Sequence, residues 1–316
     1  MARRLRSAII LLLLSIVALT VALWPQLLSY GAQYALRSAQ SPSLRLSWSG
    51  ATGSRSGVSF ESIDALVAVS TGGSARLKAL PLRLSFSNVQ VQPSVVSALL
   101  NQQAATFSAD IFGGSISGSV SGALSKPGAS IAWSRIDVAS LALFPEVRAL
   151  GLRQGTMEGT ATFSDFVPNQ PPRAVFSATF RDFNIPNSPI HSVLKLQPDD
   201  LVTVAVSGSS TADTVSLEPL SVTSAFGKAE SRGTITLAPQ IGVRDVSLTT
   251  SVSLTDSGSE KFGAWLPLLT NNLVQAGTRS FTLRSRTVPC SGAGNVQVLN
   301  LGGRSLCFSN RVERAG

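Results

Sequence analysis

The feature that most constrains this chain is a strict alternation of apolar and small polar residues. Residues 115–124 read Ser-Ile-Ser-Gly-Ser-Val-Ser-Gly-Ala-Leu. In an extended segment Ile116, Gly118, Val120, Gly122 and Leu124 share one side, and serines and an alanine take the other. Met157, Gly159, Ala161 and Phe163 oppose Glu158, Thr160, Thr162 and Ser164 in the same way. The pattern recurs at Leu44, Leu46 and Trp48; at Leu82, Leu84 and Phe86; at Val202, Val204 and Val206; at Ile235 and Leu237; and at Val246, Leu248, Val252 and Leu254. A period of two is the period of a pleated strand, and one polar side marks half-buried antiparallel pairing. Turn signals separate the runs, among them Gly72-Gly73, Gly113-Gly114, Lys126-Pro127-Gly128, Pro168-Asn169 and Pro198-Asp199. Glycine pairs at 114/118, 155/159 and 227/233 each lead into an alternating run, as a hairpin with a tight turn or bulge requires. The spacing predicts a mainly β fold, one extended curved antiparallel sheet built hairpin by hairpin, with a few short helices. Helical character is predicted at 94–102, at 139–150 with an interruption at Pro145, and at 258–276 with a break at Pro267.

A sheet with one apolar face must bury that face. The chain could close into a barrel, fold into a sandwich with a dry core, or curl into an open half-pipe. Aromatic residues are only 6% of the chain, and glycine and alanine are mixed into the inward positions. That composition suits a groove as well as a tightly packed core. The groove reading assigns its lining to Ile116, Val120, Phe163, Val202, Val204 and Val206.

Residues 7–24 form an uncharged run, SAIILLLLSIVALTVALW, preceded by Arg3, Arg4 and Arg6. As a helix the run would be roughly 27 Å long, about the thickness of the hydrocarbon layer. The arginines place the N-terminus in the cytoplasm. The rival reading is a cleaved signal peptide, but the run is longer than the usual h-region of such a peptide. The expected organisation is a basic tail at 1–6, one transmembrane anchor at 7–26, an amphipathic linker at 27–40, an exported β-rich domain at 41–278 and a basic C-terminal segment at 279–316. Cys290 and Cys307 agree with export: in an oxidising compartment such a pair forms a disulfide, the alternative being two buried thiols.

Chemistry is scarce. The chain has one histidine, His191, and two cysteines. No nucleophile elbow, Walker loop, zinc-protease helix or paired-cysteine motif occurs. The expectation is a protein that is not an enzyme and holds no cofactor or metal. The formal charge is +9. Near the C-terminus Arg279, Arg284, Arg286, Arg304, Arg311 and Arg314 face only Glu313, and they suit a solvated surface, anionic lipid headgroups or an acidic partner. With so few aromatics and no recognition motif, nucleic acid is not an expected partner.

The order of several segments carries a family resemblance. These are MARRLRSAIILLLL, LRLSWSGATG, LPLRLSFSNVQVQPSVVSALLN, ATFSADIFGGSISGSVSG, SRIDVASLALFPEVRALGLRQGTMEGTATFS, FSATFRDFNIPN and VSLEPLSVTSAFGKAESRGTITLAP. Together they resemble the type II secretion system protein N family, within the wider class of AsmA-like envelope proteins. The resemblance ends at about residue 278. It implies a single-pass protein of the bacterial inner membrane with its bulk in the periplasm. The implied role is an accessory or scaffold component of type II protein secretion, with other secretion subunits as partners. It also implies a fold like the groove-bearing sheets of AsmA-type proteins, with phospholipid as the alternative partner.

Overall fold

A computed structural model of the chain describes residues 23–41, 44–69, 80–94, 104–122, 128–143, 154–164, 173–183, 201–211, 213–238, 242–270, 272–288, 290, 296–301 and 304–313. The fold of the described residues is mainly β. Among them sixteen strands, β1 to β16 in chain order, form one antiparallel sheet, in the order β1-β3-β4-β5-β6-β7-β8-β9-β10-β11-β12-β13-β14-β16-β15, with the two-residue β2 also on β3. The sheet is open, because β1 and β15 are edges that do not pair with each other. Neither a closed barrel nor a two-sheet sandwich is formed by these strands.

The first strands are β1 (Leu44–Ser49), β2 (Thr52–Gly53), β3 (Val58–Val69), β4 (Leu80–Pro93), β5 (Ala105–Ile111), β6 (Gly114–Ser121) and β7 (Gly128–Asp137). The central ones are β8 (Thr156–Ser164), β9 (Arg173–Phe183), β10 (Val202–Ser210), β11 (Thr214–Ser224) and β12 (Gly227–Ala238). The last are β13 (Gly242–Leu254), β14 (Ser280–Val288), β15 (Val296–Leu301) and β16 (Arg304–Glu313). From β3 to β14 each strand pairs with its neighbours in sequence, as alternating runs joined by tight turns dictate. Beyond that run the order changes at both ends: β1 pairs with β3, and β16 lies between β14 and β15.

Four of the five register shifts among the described strands keep the alternation in phase. Between Phe86 and Val89, Trp133 and Ile136, Phe180 and Phe183, and Leu217 and Leu220 the apolar spacing widens from two residues to three. At each of these places the register shifts by one residue. An extra residue turns the following side chains over, so the apolar set stays on one face of the sheet. Asn88, Arg135 and Asp182, inside three of these bulges, have φ of 51°, 53° and 54°.

Two clusters of buried residues lie near the two ends of the sheet. In the first, Val58, Phe60, Val89 and Ala109 are buried, and Trp48, Ile63, Phe86 and Ile116 pack around them. Helix α1, residues 23–38, closes this cluster with Leu28, Ala32 and Leu36, spaced four apart on one helical face. The predicted linker is therefore part of the core. In the second cluster Leu266, Val274 and Phe281 are buried against Val252, Leu254 and Val312. Leu266 belongs to a helical stretch made of α2 (Asp256–Phe262), a single 3₁₀ turn (Gly263–Trp265) and α3 (Leu266–Leu269). Thr255 caps α2 by accepting from the Gly258 amide and anchors it by donating to the Ala225 carbonyl. The sequence predicts a break at Pro267, but the proline does not break a helix. It sits in the first turn of α3, where its missing N–H is not needed. In the predicted helix at 139–150, the described part is a 3₁₀ turn, Ala139–Leu143, capped by the Asp137 carboxylate. The predicted helix at 94–102 falls almost wholly outside the described residues.

Cys290 and Cys307 are disulfide-bonded. Cys307 stands opposite Val288 at the end of β14, so the bond ties the chain leaving β14 to the middle of β16. Within the segment 279–316, β14, β16 and β15 continue the same sheet. Among the described residues no helix is long and apolar enough to cross a membrane. The basic residues Arg3, Arg4 and Arg6 and the run from residue 7 to residue 22 lie outside them.

Candidate functional site

Cross-strand register decides which side chains share a face, because directly opposed residues point the same way. One row runs Ala109–Ile116–Trp133–Gly159–Ala178–Val206–Leu220 from β5 to β11. A second runs Val120–Ala129–Phe163–Ala174. A third runs Met157–Phe180–Val204–Val222, and Val202 stands opposite Phe183 just beyond it. Ile116, Val120, Phe163, Val202, Val204 and Val206 thus lie on one continuous apolar face spanning β6 to β10.

This face is furnished unevenly. Its two ends are the buried clusters beneath α1 and beneath α2–α3. Between them Phe163, Val202, Val204 and Val206 are only half-buried, and Val120 is 37% exposed. Glycine and large rings alternate there. A Cβ on Gly118 would meet the Phe107 ring at 2.5 Å, and one on Gly159 would meet the Trp133 ring at 2.5 Å. The rings lie across the glycines of the neighbouring strand, and so each glycine is a seat for a ring. The buried indole N–H of Trp133 has no acceptor among the described residues.

A cavity of about 390 Å³ opens where α1 crosses the ends of β4, β5 and β6. Trp24, Leu28, Pro93, Ala105 and Val120 give it apolar walls, and Arg55 is its one cationic lining residue. The polar groups around it are serines, a threonine and Gln92, so the cavity can hold an apolar or amphiphilic group but offers no acid–base pair.

The opposite face of the sheet is a field of hydroxyls. Ser49 bonds Ser62, Ser119 bonds Ser130, Thr160 bonds Ser177 and Ser251 bonds Thr282, each pair across adjacent strands. Ion pairs on the same face link Arg83 to Asp64, Arg181 to Glu158 and Lys228 to Glu230. The Ser85 hydroxyl, and then Arg83, hold the Asp64 carboxyl below its ordinary value. Lys228 does the same for Glu230, and Glu158 raises the Arg181 guanidinium. These groups are solvent-exposed, as ordinary surface pairs are.

Among the described residues no group of three or more His, Cys, Asp or Glu side chains could hold a metal ion. His191 lies outside them. Sequence periodicity located the apolar face but missed the part α1 plays in walling the cavity. The spacing Leu28, Ala32, Leu36 was the signal for it. Comparison of the chain with family models, with curated proteins and with solved structures finds no match.

Proposed function

We propose that this chain is a non-enzymatic envelope protein, tethered by one N-terminal span in the bacterial inner membrane with its sheet in the periplasm. In this reading it serves as an accessory, scaffolding component of type II protein secretion. The ordered resemblance to the type II secretion system protein N family supports the role. The observation that carries it is the single open antiparallel sheet with one continuous apolar face, a surface suited to binding. The Cys290–Cys307 bond supports an oxidising compartment. Deleting the gene is expected to abolish secretion of folded substrates across the outer membrane, and the tagged chain is expected to co-purify with secretion subunits. Normal secretion by the deletion strain would refute the role.

A second reading, favoured by the half-buried centre of the apolar face, is that the sheet holds phospholipid, as the resemblance to AsmA-like proteins implies. A photoreactive residue at Val204, on the apolar face, is expected to label lipid. The same residue at Thr203, on the hydroxyl face, is expected not to. Equal labelling at the two positions refutes this reading.

A further inference from the structure

Helix α1 has two apolar sides, and the sheet uses only one of them. That inner side is clamped from end to end. A Cβ on Gly53 would collide with the Pro25 carbonyl, so the first turn rides directly on β2. Leu28, Ala32 and Leu36 pack on the buried cluster beneath. In the last turn the Arg37 guanidinium lies over the Trp48 ring, 5.9 Å from its centroid. With the helix fixed in rotation, the direction of its outer side is fixed as well.

The outer side carries Leu23, Leu27, Tyr30 and Tyr34. At about 3.6 residues per turn these four form a stripe opposite Leu28, Ala32 and Leu36. The stripe is roughly 17 Å long, at about 1.5 Å per residue. Its residues are 39%, 55%, 71% and 67% exposed. A helix side that meets water ordinarily carries charges. Between Leu23 and Gln40 the only charged residue is Arg37. The first acidic residue of the chain is Glu61, whereas Arg37, Arg45 and Arg55 all precede it and are exposed.

We propose that the outer stripe of α1 lies on the surface of the bilayer that holds the N-terminal span. The leucines reach the upper acyl chains and the tyrosines sit at headgroup level. This rests on the reading of residues 7–24 as a span. That uncharged run and α1 share Leu23 and Trp24, so covalent continuity holds the whole stripe within roughly 17 Å of the membrane. Leucine combined with tyrosine is the composition of an interfacial helix. Three arginines with no acidic residue among them complement anionic headgroups. Seated in this way, α1 brings the cavity walled by Trp24, Leu28 and Arg55 to the bilayer surface.

The test uses the full-length chain in vesicles of equal parts phosphatidylethanolamine and phosphatidylglycerol. A photoreactive residue replacing Tyr34 is expected to label lipid. The same residue at Thr160, exposed on the hydroxyl face of the sheet, is expected not to. Introducing Leu27→Glu together with Tyr30→Glu is expected to abolish labelling from position 34 and to leave the circular dichroism spectrum unchanged. Resistance to alkaline carbonate reports the span separately, and the double variant should keep it. A wild-type chain that carbonate extracts refutes the span and the proposal with it. A chain that resists carbonate but labels no lipid from position 34 overturns the interfacial placement alone. So does labelling that survives in the double variant, or an adduct from position 34 with protein, which would show that another segment or a second copy covers the stripe.

Discussion

Arg135 holds φ of 53° within a strand, a region that costs a residue with a Cβ about 1–2 kcal/mol. Its bulge exists to return Ile136 to the buried face after Trp133. Replacing it with glycine removes the penalty without disturbing the bulge. Arg135→Gly is therefore expected to raise stability by about 0.5–1 kcal/mol in urea unfolding, although glycine usually weakens a strand. Gly159 should behave in the opposite way. Gly159→Ala drives a methyl into the Trp133 ring and is expected to lose about 1–3 kcal/mol in the same assay. Asp64 gives a pH signature. Its folded-state pKa is lowered first by Ser85 and then by Arg83, so the stability it adds is present above the unfolded value of about 3.9 and is lost as pH falls through the folded value. Ser85→Ala should move the Asp64 titration upward in an NMR experiment.

Among the elements, α1 and the Cys290–Cys307 bond each secure one end of the sheet. Leu28→Asp places a charge under α1 and is expected to cost about 2–3 kcal/mol and to abolish amide protection in residues 23–38, as hydrogen exchange would show. Replacing both cysteines with serine releases the chain between β14 and β16. The double variant is expected to lose about 3 kcal/mol, with exchange accelerating first in β15 and β16. Strand existence was readable in the sequence because runs such as 115–121 and 156–164 alternate without interruption. The bulges were not, because a three-residue spacing such as Trp133-Ser-Arg-Ile136 looks like a lapse in the pattern when only one strand is in view. Its purpose shows only once Met157 stands opposite Ile136. Pro267 misled for a related reason: a proline ends one helix or starts another, and the sequence alone does not say which.

At the scale of the molecule, the sequence supported one sheet built hairpin by hairpin and left barrel, sandwich and half-pipe open. The structure is a single open sheet, and the choice rests on contacts that periodicity cannot carry: which strand lies at an edge, and what covers it. The order β14-β16-β15 was equally hidden, since an alternating strand can pair on either side. The two packed clusters of buried residues lie towards the ends of the sheet, whereas buried side chains between them, such as Ile136, Phe183 and Leu217, belong to neither. Amides of β8–β10 are accordingly expected to exchange faster than those of β3–β5 and β13–β14. Uniform protection across the sheet would count against this division.

Sequence-neighbour pairing also bears on how the chain reaches this shape. From β3 to β14 every strand docks on one that has already been synthesised, so the contacts are local and the sheet can grow in the direction of translation. After β14 the order reverses: β15 must wait, because among the described residues its only strand partner, β16, is made after it. The final hairpin is thus a completion step, and the sulfur–sulfur link records that the last strand has arrived.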